Sequence, residues 1–335
     1  MKAFNATLAA CLAWAPVSVR AGETAREAPA GGAAAAPFTR GTVLAEVVAR
    51  HPGATLPPDA LPPGVSAAED LVFARAGDAA LALDLYRPEA GGPFPAVLIV
   101  HGGGWEAGDR RMERPLAQRL AALGYVAAPV DYRLGAAGRY PAALDDLKSA
   151  VRWLRAHAGD WRIDPARIAA VGGSSGGQLV ALLGATNGMP AFEGAVGERG
   201  ASSAVQAVVD IDGLADFTEP AFVAAQAAHP SAPTRFLGGT CRERSAVWRE
   251  ASALTHVGPA SAPTLFLNST APTPVLPGRP EMRDRLHALG IDAEIIVFPD
   301  TPHPFWLVQP WFERVVAEID RFLRRELPRA ARPAP

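Results

Sequence analysis

The stretch Ile168-Ala169-Ala170-Val171-Gly172-Gly173-Ser174-Ser175-Gly176-Gly177-Gln178 decides how this chain is read. Four apolar residues end in glycines and serines, and a run with helical periodicity, up to Ala185, follows at once. A serine on a sharp turn from strand into helix sits in strained backbone with its hydroxyl exposed. Small residues two before and two after it let the turn close. Two registers fit, Gly172-x-Ser174-x-Gly176 and Gly173-x-Ser175-x-Gly177. Ser174 keeps the closer spacing to the strand, so it is the candidate nucleophile. Ser175 would then offer its backbone N–H to an oxyanion.

Working outward, the chain alternates between strand and helix patterns. Leu71–Ala74 and Leu81–Tyr86 alternate in polarity and predict an antiparallel opening pair. Phe94–Val100 is a continuous apolar run, as expected of a strand buried on both faces. Helices are predicted at 41–50, 111–123, 141–157, 176–185, 281–289 and 311–327, and further strands at 125–130, 168–171, 205–211, 263–267 and 294–298. Such alternation predicts an α/β fold with a mostly parallel central sheet and helices on both faces. Residues 214–258 are too long for a tight connection and are expected to form a short lid.

Two more motifs fall at predicted strand ends, where open α/β sheets place their sites. His101-Gly102-Gly103-Gly104-Trp105 follows the strongest strand, and consecutive glycines can aim backbone N–H groups at a developing negative oxygen. Gly103 and Gly104 are the candidate donors, and His101 is expected to brace the loop. His303, in Pro299-Asp300-Thr301-Pro302-His303-Pro304-Phe305-Trp306, follows the last strand. Of seven histidines it alone sits at a strand exit after the serine in chain order, which suits a general base.

Together His101–Trp105, Asp131-Tyr132-Arg133-Leu134, Tyr140-Pro141, Asp145-Asp146, Asp164-Pro165-x-Arg167-Ile168 and Gly172–Gly177 resemble the bacterial esterase/lipase branch of the α/β hydrolases. That branch includes hormone-sensitive-lipase-like enzymes and feruloyl/acetyl-xylan esterases. The resemblance covers about residues 69–328, and Pro299–Trp311 further resembles carbohydrate esterases of plant cell-wall breakdown. It implies an α/β-hydrolase fold, an order Ser–Asp/Glu–His and an acyl-enzyme mechanism. The acid departs from the pattern: Asn268–Pro274, where the family usually places an Asp, holds no carboxylate. Asp212, Glu281, Asp216 and Asp300 are the substitutes. Asp212, at the end of the preceding strand, is preferred over Glu281, and a dyad without a dedicated acid stays open. Trp105 and Trp306 are candidate sugar-binding faces. The expected substrate is a small acyl ester or an acetylated polysaccharide such as xylan or pectin. A peptidase and a non-catalytic binding protein are the competing readings.

Composition frames this reading. The 335 residues are 49% hydrophobic with a net charge of −2, which suits a compact catalytic domain and gives no reason to expect nucleic acid or an anionic membrane as partner. With only Cys11 and Cys241, neither a disulfide scaffold nor a Cys-rich metal site is expected. No metal ligand set and no cofactor are expected. Lys2, the apolar 3–19 and Val19-Arg20-Ala21 read as an export leader over 1–21, so a secreted or periplasmic location is expected. The apolar stretch before Cys11 is short for a lipidation site. Residues 22–67, rich in Ala and Pro, read as a linker or wrapping arm, and 68–330 as the catalytic domain.

Overall fold

The computed structural model describes residues 38–270 and 276–328. The leader expected over 1–21 and Cys11 lie outside them. A first helix, α1 (Arg40–Val48), starts at Thr39, whose hydroxyl accepts the Thr42 N–H. Two long antiparallel strands follow, β1 (Val65–Ala76) and β2 (Ala79–Pro88), then β3 (Phe94–Val100). A 3-10 turn (Arg110–Glu113) leads into α2 (Arg114–Ala122) and β4 (Val126–Val130). Next come α3 (Ala142–Ala156), the single turn α4 (Ala158–Trp161), β5 (Ile163–Gly173) and α5 (Ser175–Ala185). β6 (Ala207–Ile211) precedes α6 (Pro220–Ala228), α7 (Ala232–Phe236) and α8 (Cys241–Glu250). β7 (Thr264–Ser269), α9 (Arg279–Ala288), β8 (Ala293–Phe298) and α10 (Phe312–Glu326) complete the chain.

The eight strands form one sheet in the order β1-β2-β4-β3-β5-β6-β7-β8. Pairing is antiparallel from β1 through β2 to β4 and parallel from β4 to β8. This is the α/β arrangement expected, with helices on both faces. The period of two along β3 divides its residues between two cores. Leu98 and Val100 pack with Leu147, Val151, Leu179 and Leu183 on one face. Val97 and Ile99 pack with Leu116, Leu120, Ile319 and Phe322 on the other. β3 is buried throughout except for Pro95, which explains its unbroken apolar run.

Elements differ from the sequence reading chiefly at their ends. β1 and β2 are longer than their alternating segments, because a polar residue on the solvent face of an antiparallel pair does not end a strand. The described part of the Ala/Pro-rich stretch packs against the catalytic fold. Val43 and Val47 are buried in the second core. The Gln309 N–H donates to the Thr55 carbonyl at 2.8 Å, and His51 meets the Trp311 ring edge-on at 5.1 Å. Helices α6–α8 place Phe222, Phe236 and Trp248 in the first core.

Candidate active site

Ser174 closes the gap between β5 and α5 with φ 55° and ψ −119°, a left-handed conformation costly for a residue with a Cβ. Its N–H donates to the Ile211 carbonyl at 2.7 Å, so the neighbouring strand holds the turn. A Cβ on Gly172 would collide with the Gly176 carbonyl, and one on Gly176 with the Val100 and His101 carbonyls. Only glycine permits these approaches, which is the physical content of the small-residue pattern read from the sequence. Ser174, not Ser175, is the serine presented to the histidine. The Ser175 hydroxyl is buried beside the Tyr132 phenol, while its N–H opens α5 and has no acceptor within the helix.

His303 Nε2 lies 2.8 Å from Ser174 Oγ, and its Nδ1 lies 3.1 Å from Asp212 Oδ2. A carboxylate beside Nδ1 can only accept, so Nδ1 carries the proton and Nε2 is left to receive one from the serine. Asp212 is 4% exposed, follows β6 directly, and accepts the Ser269 N–H at 2.8 Å through Oδ1. Of the four carboxylates weighed from sequence, Asp212 is the one hydrogen-bonded to the histidine. Glu281 is exposed on α9, Asp300 is exposed, and Asp216 accepts the N–H and hydroxyl of Thr218. The carboxylate that meets the histidine therefore comes from β6, the strand beside the one that leads into Ser174.

Sequence reasoning did not find the support beneath Asp212. Arg279, fully buried, ion-pairs with buried Asp210 at 2.6 Å and donates to the Gly213 carbonyl at 2.6 Å and to Asn268 Oδ1. Burial pushes the Asp210 carboxyl up, against the pull of the guanidinium. The pair ties the ends of β6 and β7 to the start of α9, on either side of the acid. A lone arginine at a helix start carries no sequence signal for this role.

The Gly102–Gly104 loop lies against the nucleophile: a Cβ on Gly102 would stand 3.2 Å from Ser174 Cβ. Gly103 has φ 116° and Gly104 φ 63°, backbone open to glycine at little cost. Burial pushes the His101 imidazole down, so it stays neutral, with Nδ1 donating to the Gly102 carbonyl at 2.7 Å. It braces the loop, as the sequence suggested.

Trp105 and Trp306 do not present the open ring faces expected of sugar-binding residues. They are 5% and 2% exposed. The Trp105 indole donates to Gln178 Oε1 at 3.0 Å and stacks on Phe236 at 4.7 Å, which ties the glycine loop to α5 and the lid. The Trp306 ring rests on Gly173 and meets His303 edge-on at 5.7 Å. Both aromatics hold the site's walls together from within. Among the described residues no group of three or more His, Cys, Asp or Glu could hold a metal ion, and no helix is long and apolar enough to cross a membrane.

Known proteins resemble this chain in sequence and in fold. Esterase LipC of Mycobacterium tuberculosis is 37% identical over 128 residues, which are 38% of this chain and 32% of LipC. Esterase LipQ of the same organism is 28% identical over 250 residues, 70% of this chain and 57% of LipQ. The aligned parts thus span less than two thirds of these curated relatives. Among solved structures, a truncated carbohydrate esterase from gut microbiota superposes with a TM-score of 0.66 at 22% identity, covering 78% of this chain and 96% of that one. Esterase 2 of Thermogutta terrifontis, in a butyrate-bound form, gives 0.65 at 24% identity over 80% of this chain and 97% of that one. Both share the α/β-hydrolase fold described above. The BD-FAE family model matches residues 83–278, from β2 to the turn before α9 and well over half the chain, and the chain belongs to that family.

Proposed function

We propose that the chain is a serine esterase that hydrolyses small carboxylic esters through an acyl-enzyme, with acetyl groups on plant cell-wall polysaccharides as its substrate. The observation that carries this reading is the continuous line Asp212–His303–Ser174, with 3.1 Å and 2.8 Å contacts. In it His303 takes the Ser174 proton as Oγ attacks the ester carbonyl. The N–H groups of Gly103, Gly104 and Ser175 then receive the negative oxygen. His303 returns the proton to the departing alcohol, and water repeats the sequence to free the acid. Asp212 holds the imidazole tautomer and offsets the charge that forms on it.

The preference for a short acyl group rests on the wall beside Gly104, where a Cβ would lie 3.3 Å from Ala232 and where the Trp105–Phe236 stack fills the space. The relatives named esterases and the carbohydrate esterase neighbour support the chemistry and the polysaccharide reading. Export follows from the leader pattern at 1–21, which suits a polymeric substrate outside the cell. The test is release of p-nitrophenol from the acetyl ester, followed by acetate release from acetylated xylan and pectin. Ser174→Ala should abolish turnover, with a loss of about 10⁴-fold or more. Intact turnover in that variant refutes the assignment.

A further inference from the structure

Glu113 occupies a position where a carboxyl group is hard to keep. It is 1% exposed, at the junction of the 3-10 turn with α2. Oε1 accepts the Trp306 indole N–H at 3.2 Å, and Oε2 is buried with no hydrogen-bond partner. Arg40, Met112, Leu116, Leu307 and Phe312 line the narrow gap beside it. Burial pushes its pKa up to about 7, against the Trp306 N–H and the Arg40 charge, which pull it down. Arg40 reaches in from α1 and is held by Asp59 at 2.7 Å. On the β4 side stands the phenol of Tyr132, itself raised by burial and further by the charge of Glu113. A buried polar atom without a partner destabilises a fold by about 1–3 kcal/mol, so such a group calls for an explanation.

The explanation is what its partner touches. Trp306 lies on the backbone of Gly173, one residue before Ser174, and its edge-on contact with His303 meets the ring that receives the serine proton. One side chain thus contacts the backbone before Ser174 and the His303 ring itself, and Glu113 grips its only polar atom. Building on the esterase reading above, we propose that Glu113 is a positioning residue. By holding the Trp306 indole it fixes the distance and angle between Ser174 Oγ and His303 Nε2. It touches neither substrate nor triad and acts through Trp306.

Three variants test this: Glu113→Gln, whose amide oxygen can still accept the indole N–H, Glu113→Leu, which cannot, and Trp306→Phe, which lacks the N–H. Turnover of p-nitrophenyl acetate is measured per active site titrated with a fluorophosphonate, so loss of folded protein does not count. Glu113→Leu and Trp306→Phe should each lower kcat by about ten-fold or more with KM within about two-fold, the result of small misplacement of reacting atoms. Glu113→Gln should recover most of that loss. By NMR, the indole N–H resonance missing in Trp306→Phe should shift with pH through about 7 in the wild type and stay fixed in Glu113→Gln. Should Glu113→Leu fail to fold, Trp306→Phe carries the kinetic arm alone. The proposal is overturned by kcat within two-fold of wild type in the apolar variants, or by an indole resonance indifferent to pH. If the wild type hydrolyses no ester, it is the esterase reading that fails, and the indole titration alone then decides whether Glu113 grips Trp306.

Discussion

The protonation of Glu113 should be visible in the stability of the whole molecule. Its carboxyl moves from an ordinary 4.5 to about 7 on folding, because burial disfavours the ionised form. Between those two values the folded chain keeps a proton that the unfolded chain releases. The contribution of Glu113 to wild-type stability therefore falls as pH rises from about 4.5 to about 7 and levels off above. At about 1.4 kcal/mol for each pH unit, the displacement amounts to about 3 kcal/mol. Glu113→Gln keeps the shape and the acceptor but cannot ionise, so it should lack this loss. In urea unfolding followed by tryptophan fluorescence, the variant should match the wild type within about 1 kcal/mol near pH 5. It should exceed the wild type by about 2–3 kcal/mol near pH 8.5. A difference between the two proteins that is the same at both pH values would refute the buried, raised carboxyl.

Two further outcomes follow from the site. Asp212→Asn should lower kcat by at least about 100-fold, as loss of the acid misorients the histidine, whereas exposed Glu281→Gln should leave it within two-fold. Comparable effects in one p-nitrophenyl acetate assay would remove Asp212 from the triad. Arg279→Met leaves the Asp210 carboxyl buried and unpaired, which should destabilise the fold by about 3–5 kcal/mol in calorimetry. Adding Asp210→Asn should recover much of that loss, and a lone variant as stable as wild type would contradict the pair's role.

The parallel part of the sheet was legible in the sequence because β3, residues 168–171 of β5 and residues 207–209 of β6 are buried on both faces and so read as apolar runs. Ser174 and His303 were legible because each sits at a strand exit with residues that only such turns require. Asp212 could be preferred on its place after β6 but not separated from Glu281. What separates them is the bond to His303, 91 residues away in the chain. Trp105 and Trp306 were misread because the sequence shows an aromatic near a site but not which way it faces; both point inward, with indole N–H groups already used. Glu113 and Arg279 gave no signal. Each sits beside the first turn of an otherwise ordinary helix, and a charged residue there reads as a solvated face until the packing around it is seen.

Ser174 and Asp212 leave adjacent strands, and each is anchored by its backbone N–H to the next strand along: Ser174 to Ile211, Asp212 to Leu267 at 3.0 Å. Their separation is therefore a property of the ladder between β5, β6 and β7 and not of the flanking loops. Local opening of the lid, the least protected kind of motion in a fold, leaves that spacing untouched. Heat should then part Ser174 from Asp212 only as the sheet itself comes apart.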